Sequence, residues 1–203
     1  MLPNAQSLIT ELDTTLSKAS RSKHLTILRS VTDLFFNGAQ NYSKDHIAVF
    51  DDVIDRLVDK TERPVLIELS TRLAPMRNAP VKVVGHLARN DDFAVAAPVL
   101  AKSEVLTDEV LVEIAKTKGQ YYLSAIAGRT RVSQNVADVL VERGNSDIAR
   151  KVAANLGASL SELGYVKLIK RAQGDAELAA LITARNDMPD ELRPFLKSAT
   201  GRT

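Results

Sequence analysis

Cysteine and tryptophan are absent from this chain of 203 residues, and aromatics make up only 4% of it. Without a thiol, neither a disulfide framework nor a cysteine metal site can exist. So low an aromatic content beside 45% hydrophobic residues suits helices packed through Leu, Ile, Val and Ala better than a β-sandwich. The nine glycines stand singly, so there is no Gly-rich phosphate loop. An excess of charge is missing too. The 27 Lys and Arg residues face 25 Asp and Glu, and the net charge of +2 gives no general pull toward nucleic acid or a membrane surface. No apolar run is as long as a bilayer span, and the N-terminus lacks the basic and apolar regions of a secretion signal. The expectation is one elongated, cytoplasmic, all-α domain.

What the chain does have is self-similarity. Leu106-Thr107, Val132-Ser133 and Leu160-Ser161 recur at intervals of 26 and 28 residues, and a further step of 28 lands on Met188, ahead of Pro189. Gly119, Gly144 and Gly174 mark the middle of each unit. A fixed period means stacked supersecondary units, none of which can bury its apolar face alone. In each first helix, the residues four and eight places after the opening residue share one face: Val110 and Ile114, Val136 and Leu140, Gly164 and Leu168. In each second helix, Leu123 and Ala127, Ile148 and Val152, Leu178 and Ile182 do the same. Thr107, Ser133 and Ser161 are expected to be N-caps. The glycines suit the left-handed residue that ends a helix, with the start of the next cap as the alternative for Gly174, which precedes Asp175. Gly164 falls on a core face, where a neighbouring helix is expected to come close.

Before the repeat, Leu8, Leu12 and Leu16 make a narrow helical stripe, and Leu25, Leu28, Val31, Leu34 and Phe35 make a wider one ended by Asn37-Gly38. Ser43 caps a third helix with Ile47, Phe50, Ile54 and Leu57 on one side. Residues 1–60 thus read as a helical cap on a solenoid spanning 61–203. In that solenoid Val65, Leu66, Leu69 and Leu73 line a helix that stops near Pro75, Pro80 restarts the chain, and Val81, Val84 and Leu87 face inward. Pro98 lies inside the apolar run 93–100 and predicts a kink or break. The tail from Ser198 has nothing to bury and is expected to fray.

Leu34-Phe35, Phe50-Asp51-Asp52-Val53, Ala97-Pro98-Val99-Leu100, the run Val139-Leu140-Val141-Glu142-Arg143-Gly144 and Asp187-Met188-Pro189 together resemble an alphaproteobacterial family, domain of unknown function 2336. The likeness runs through most of the chain. It implies a right-handed α-solenoid of HEAT-like helical hairpins, within a family whose members often carry a further C-terminal part. It brings no catalytic residue, cofactor or substrate.

Candidates for chemistry are few. His24, His46 and His86 lie on separate helices, and none has a paired metal-ligand spacing. No serine has a partner base that would activate it. Ala-Arg-Asn-Asp occurs at 88–91 and again at 184–187, with Arg129 and Asn155 in similar places between. Arginine there suits the helix dipole, asparagine a left-handed residue and aspartate the next cap. The functional alternative is a surface ladder of Arg89, Arg129 and Arg185 offered to carboxylates or phosphates of a partner. Asp51, Asp55 and Asp59 form an acidic row that needs an offset, whether from Arg56 and Lys60, a basic partner or a weakly held cation. Of Tyr121 and Tyr122, one is expected to pack and the other to lie at the surface as an anchor for a partner peptide.

These features predict a non-enzymatic module without a cofactor that binds another protein, in signalling or regulation. Nucleic-acid binding is the alternative and needs the basic residues gathered on the concave side. An enzyme with a pocket assembled from distant helices comes third.

Overall fold

The computed structural model describes residues 21–200, with the side chains of Arg21, Ser22, His24 and residues 197–200 outside it. The stripe of Leu8, Leu12 and Leu16 lies outside the described residues, as does the His24 side chain. Among the described residues the chain is all-helical, with twelve α-helices, two 3-10 turns and no strand beyond an isolated bridge. Two compact units divide it, residues 21–99 with 103–105, and 100–102 with 106–200.

In the first unit, α1 (Arg21–Gly38) packs on α2 (Lys44–Val58), while α2 and α3 (Arg63–Leu73) both pack on α4 (Val81–Arg89). Leu28, Phe35, Ile54, Leu57, Leu69, Leu73, Val84 and Leu87 are buried, as their spacing required. Ser43 caps α2 by accepting from the His46 amide at 3.3 Å, and the His46 ring accepts from the Ser43 amide in return. Two inward assignments fail. Leu34 is exposed because it sits one residue, or about 100° of helix, away from buried Phe35. Val81 is exposed because α4 turns Val83, Val84 and Leu87 inward, and two residues from Val83 is the opposite side.

Of the kink or break expected at Pro98, the break is absent. Helix α5 (Phe93–Lys102) runs through it. Its ends are held, by the Asp92 carboxylate accepting from the Ala94 amide at 2.9 Å and by the Ser103 amide donating to the Val99 carbonyl at 3.0 Å. Burial of Val95, Ala96, Val99 and Leu100 outweighs the single lost backbone bond.

The second unit holds α6 (Asp108–Thr117), α7 (Gln120–Ala127), α8 (Gln134–Arg143), α9 (Ser146–Ala154), α10 (Glu162–Arg171), α11 (Ala176–Thr183) and α12 (Arg193–Thr200). Each helix packs on its counterpart one hairpin later: α6 on α8, α8 on α10 and α10 on α12 in one row, α7 on α9 and α9 on α11 in the other. The core faces read from the repeat are buried throughout, apart from half-buried Val110. A 3-10 turn, Asp190–Leu192, follows Pro189 and leads into α12, which continues past Ser198 to Thr200.

The repeat position of Thr107, Ser133 and Ser161 is the N-cap in all three hairpins. Only Ser161 makes the cap bond, accepting from the Gly164 amide at 2.8 Å. The Thr107 hydroxyl turns to the Glu109 carboxylate, and the buried Ser133 hydroxyl has no partner among the described residues. Of the three hairpin glycines, Gly174 alone is left-handed, at φ +84°. Gly144 is extended and is there for space: a Cβ would lie 2.5 Å from the Leu140 carbonyl. At Gly164 a Cβ would lie 2.7 Å from Asp138 Oδ1 on α8, which is the close approach that its core position predicts.

Candidate functional site

The acidic row on α2 faces α4. Asp51 is buried, and its two oxygens accept from the Lys82 and Val83 amides, both at 2.9 Å, so it caps the start of α4. Burial pushes its carboxyl above the ordinary value of 3.8, against the pull of those two amides and of the Lys82 charge. One residue on, Asp52 pairs with the Lys82 ammonium. One and two turns on, Asp55 and Asp59 take the two nitrogens of His86, Nδ1 at 3.0 Å and Nε2 at 3.1 Å. Helix α4 therefore supplies an offset for the row that its sequence neighbours did not reveal. Beside it lies an open cleft of about 590 Å³ lined by Asp55, Lys82, His86, Arg89, Asn90 and Asp91. Arg89 is exposed there and donates to the Gly85 carbonyl at 3.1 Å. Among the described residues no group of three or more His, Cys, Asp and Glu is placed to hold a metal ion.

The arginines of the second unit do form a ladder, but it is turned inward. At the end of α7, Arg129 donates to the Leu100 carbonyl at 2.7 Å. At the end of α9, the Asn155 amide donates to the Ala127 and Arg129 carbonyls at 3.0 and 2.8 Å. After α11, Arg185 donates to the Ala153, Asn155 and Ala158 carbonyls at 3.3, 2.8 and 2.6 Å. The other row repeats the device, with Arg143 reaching the Ala115 and Lys118 carbonyls and Arg171 the Val141 carbonyl. Each rung joins the end of one helix to backbone carbonyls at or just beyond the end of its counterpart one hairpin earlier. Those carbonyls need donors, and the helix dipole favours a cation there.

Arg185 is the extreme case, only 1% exposed. Asp187 pairs with it at 2.7 Å, and its Nε also meets the Tyr165 hydroxyl at 2.8 Å, so all five N–H donors have acceptors. Burial, with the Asp187 carboxylate, pushes the Tyr165 hydroxyl up to about 12. Burial works against the Asp187 charge, but hydrogen bonds from Arg185 and Tyr165 hold its carboxyl below the ordinary value. Arg185 cannot serve a partner at the surface. The ladder's repeat positions were legible, whereas its direction was not.

A family model described as an uncharacterised protein conserved in bacteria, domain of unknown function 2336, matches residues 95–200, just over half of the chain. The chain belongs to that family. Comparison with curated proteins and with solved structures finds no match. The match to domain of unknown function 2336 takes in the whole inward ladder from Leu100 to Arg185, and leaves out Leu34-Phe35 and Phe50-Asp51-Asp52-Val53. The likeness is thus narrower than those motifs suggested.

Within the family segment, Tyr122 is buried and Tyr121 is 76% exposed at the start of α7. Its neighbour Gln120, which the sequence did not single out, bridges to the next hairpin: it donates to the Arg143 carbonyl at 3.0 Å and accepts from the Asn145 amide at 2.8 Å. Leu156, Leu163, Val166 and Phe195 also put large apolar side chains into solvent. Leu163 and Val166 share one outer face of α10, where α8 carries Asn135 and Asp138 at the same repeat positions. No helix among the described residues is long and apolar enough to cross a membrane.

Proposed function

We propose that this chain is a non-enzymatic protein-binding module, a HEAT-like α-solenoid acting in the cytoplasm as a signalling or regulatory adaptor. The observation that carries this reading is the division of labour in the second unit. Its repeated cations are spent on neighbouring hairpins, while Tyr121, Leu156, Leu163, Val166 and Phe195 stand exposed. At the Leu163 repeat position α8 carries exposed Asn135, the kind of polar residue that a solenoid which only had to hold itself together would place there. A phosphate-tracking role loses one of the three arginines of the expected ladder, since Arg185 is buried.

The test is capture from lysate of the source bacterium on immobilised chain, over a salt series and with a nuclease-treated arm. The comparison is a variant with Tyr121, Leu156, Leu163 and Val166 replaced by serine. A discrete protein retained after nuclease treatment and lost by the variant is the expected result. Retention that disappears with nuclease and modest salt assigns the surface to nucleic acid and ends the adaptor reading.

A further inference from the structure

Leu156 is 78% exposed, yet it stands on one of the most restrained pieces of backbone in the second unit. Residues 155–158 form a tight turn in which the Ala158 amide donates to the Asn155 carbonyl at 3.0 Å, with Leu156 at its second position. The Asn155 side-chain oxygen accepts from the Gly157 amide at 2.9 Å, while its NH2 group holds the Ala127 and Arg129 carbonyls. On one side the turn pairs with the preceding connection. The Val132 amide donates to the Gly157 carbonyl at 3.0 Å, and the Ser159 amide donates to the Val132 carbonyl at 2.9 Å, a short parallel bridge. The two connections lie so close that a Cβ at Gly157 would collide with the Thr130 carbonyl oxygen. From the other side Arg185 grips the Asn155 and Ala158 carbonyls.

A large apolar side chain in water gains nothing for the fold, and a turn fastened on both sides cannot fold it away. Arg131 stands next to Val132, one residue from the bridge that brings this connection beside Leu156. It is exposed and has no hydrogen-bond or ion-pair partner among the described residues. Arg129, Lys151 and Arg185 spend their charged groups on backbone carbonyls, whereas Arg131 offers its own to solvent beside the turn.

We infer that the Leu156 turn with Arg131 is the partner-binding anchor of this chain, accepting a protein segment that offers an apolar pocket or side-chain cluster flanked by carboxylates. This rests on the protein-binding reading above and names the site for it. Because the turn is held before the partner arrives, little ordering entropy remains to be lost on binding, the condition under which one apolar side chain becomes a hot spot. Arg131 contributes steering and register, so its share falls with salt.

The experiment is selection of random phage-displayed peptides on the intact chain, followed by affinity measurements with the selected peptides. The expected pool combines large apolar residues with Asp or Glu. Leu156→Ser should weaken those peptides roughly tenfold or more. Arg131→Ala should weaken them by about threefold at low salt and less at high salt. Neither change should move the melting temperature, whereas a clear drop for Leu156→Ser would make the residue structural and overturn the inference. Peptides that keep full affinity for Leu156→Ser but lose it on Leu163→Ser with Val166→Ser would also overturn it, while leaving the chain a protein-binding module. Failure to enrich any peptide over a blank surface would sink both readings. Displacement of the peptides by a short single-stranded oligonucleotide would replace the acidic segment with a phosphate backbone and end the proposal.

Discussion

The same four residues, Ala-Arg-Asn-Asp, occur once in each compact unit, and the two copies do opposite things. In the first, Arg89 lies at the surface, reaching the Gly85 carbonyl of its own helix, and Asn90 accepts from the Asp92 amide at 2.9 Å before α5 begins. In the second, Arg185 is buried, and Asp187 closes on it instead of capping a helix. Neither asparagine is left-handed, since no described residue other than glycine has a positive φ. The difference is set by what the arginine meets at long range. Arg185 finds three carbonyls about one hairpin back and the hydroxyl of Tyr165, whereas the cleft around Arg89 is open. A local motif fixed at a helix end therefore specifies a donor, and tertiary context decides whether that donor fastens the fold or faces water.

The comparison breaks first if the two arginines turn out equal. Arg185→Ala leaves the buried Ala153 and Ala158 carbonyls without its N–H groups and Asp187 without its counter-charge, and should cost about 3–5 kcal/mol. Arg89→Ala should stay within about 0.5 kcal/mol. Urea unfolding of both variants measures the difference, and similar losses would mean that the inward ladder is not what fastens the hairpins. The hydrophobic register has a comparable test. Leu140, fully buried on α8, should lose about 2–5 kcal/mol on truncation to alanine. Glu142, two residues on and paired with Lys167 only at the surface, should lose less than about 1 kcal/mol.

The helix faces were readable because burial follows a 3.6-residue period, and one face is enough to place Leu140, Val152 or Ile182. Gly164 was readable for a related reason: a residue without a side chain on a core face implies a near neighbour. The ladder was half readable. Equivalent positions at helix ends could be aligned, but the backbone carbonyls that Arg185 reaches lie 27 to 32 residues away, and no local pattern points to them. His86 between Asp55 and Asp59 is another case, since the pairing joins residues 31 apart for Asp55 alone. Pro98 shows the reverse limit, since the break that a local rule allows there is overridden by packing. Leu156 escaped notice because exposure on a pinned turn is invisible without the turn's hydrogen bonds.

Titration sharpens the comparison between the units, because two aspartates in them shift in opposite directions. Asp187 has its folded value held below 3.8, so its contribution is fully present above that pH and is lost as pH falls through the lowered value. The advantage of wild type over Asp187→Asn should therefore shrink on acidification below 3.8. Asp51 has its folded value raised by burial, so the folded chain binds its proton more readily than the unfolded chain does. The advantage of wild type over Asp51→Asn should shrink in the other direction, as pH rises above 3.8. Melting curves over this acid range decide the matter, and parallel trends for the two variants would show that the first-unit cap and the second-unit network do not differ as described.

The smallest effect concerns the three N-caps that the repeat makes equivalent. Ser161 accepts from the Gly164 amide at 2.8 Å and donates to Asp138 at 2.8 Å, so Ser161→Ala should cost about 0.5–2 kcal/mol. Ser133 holds the same repeat position with its hydroxyl buried and unpartnered among the described residues, so Ser133→Ala removes an unsatisfied polar atom and should be neutral or stabilising by up to about 1 kcal/mol. The repeat alone predicts equal losses for the two, and the hydrogen bonds predict opposite signs. Differential scanning of both alanine variants distinguishes these outcomes. A loss at Ser133 matching that at Ser161 would mean that its hydroxyl caps α8 in solution, and that the three hairpins are more alike at their N-caps than their hydrogen bonds indicate.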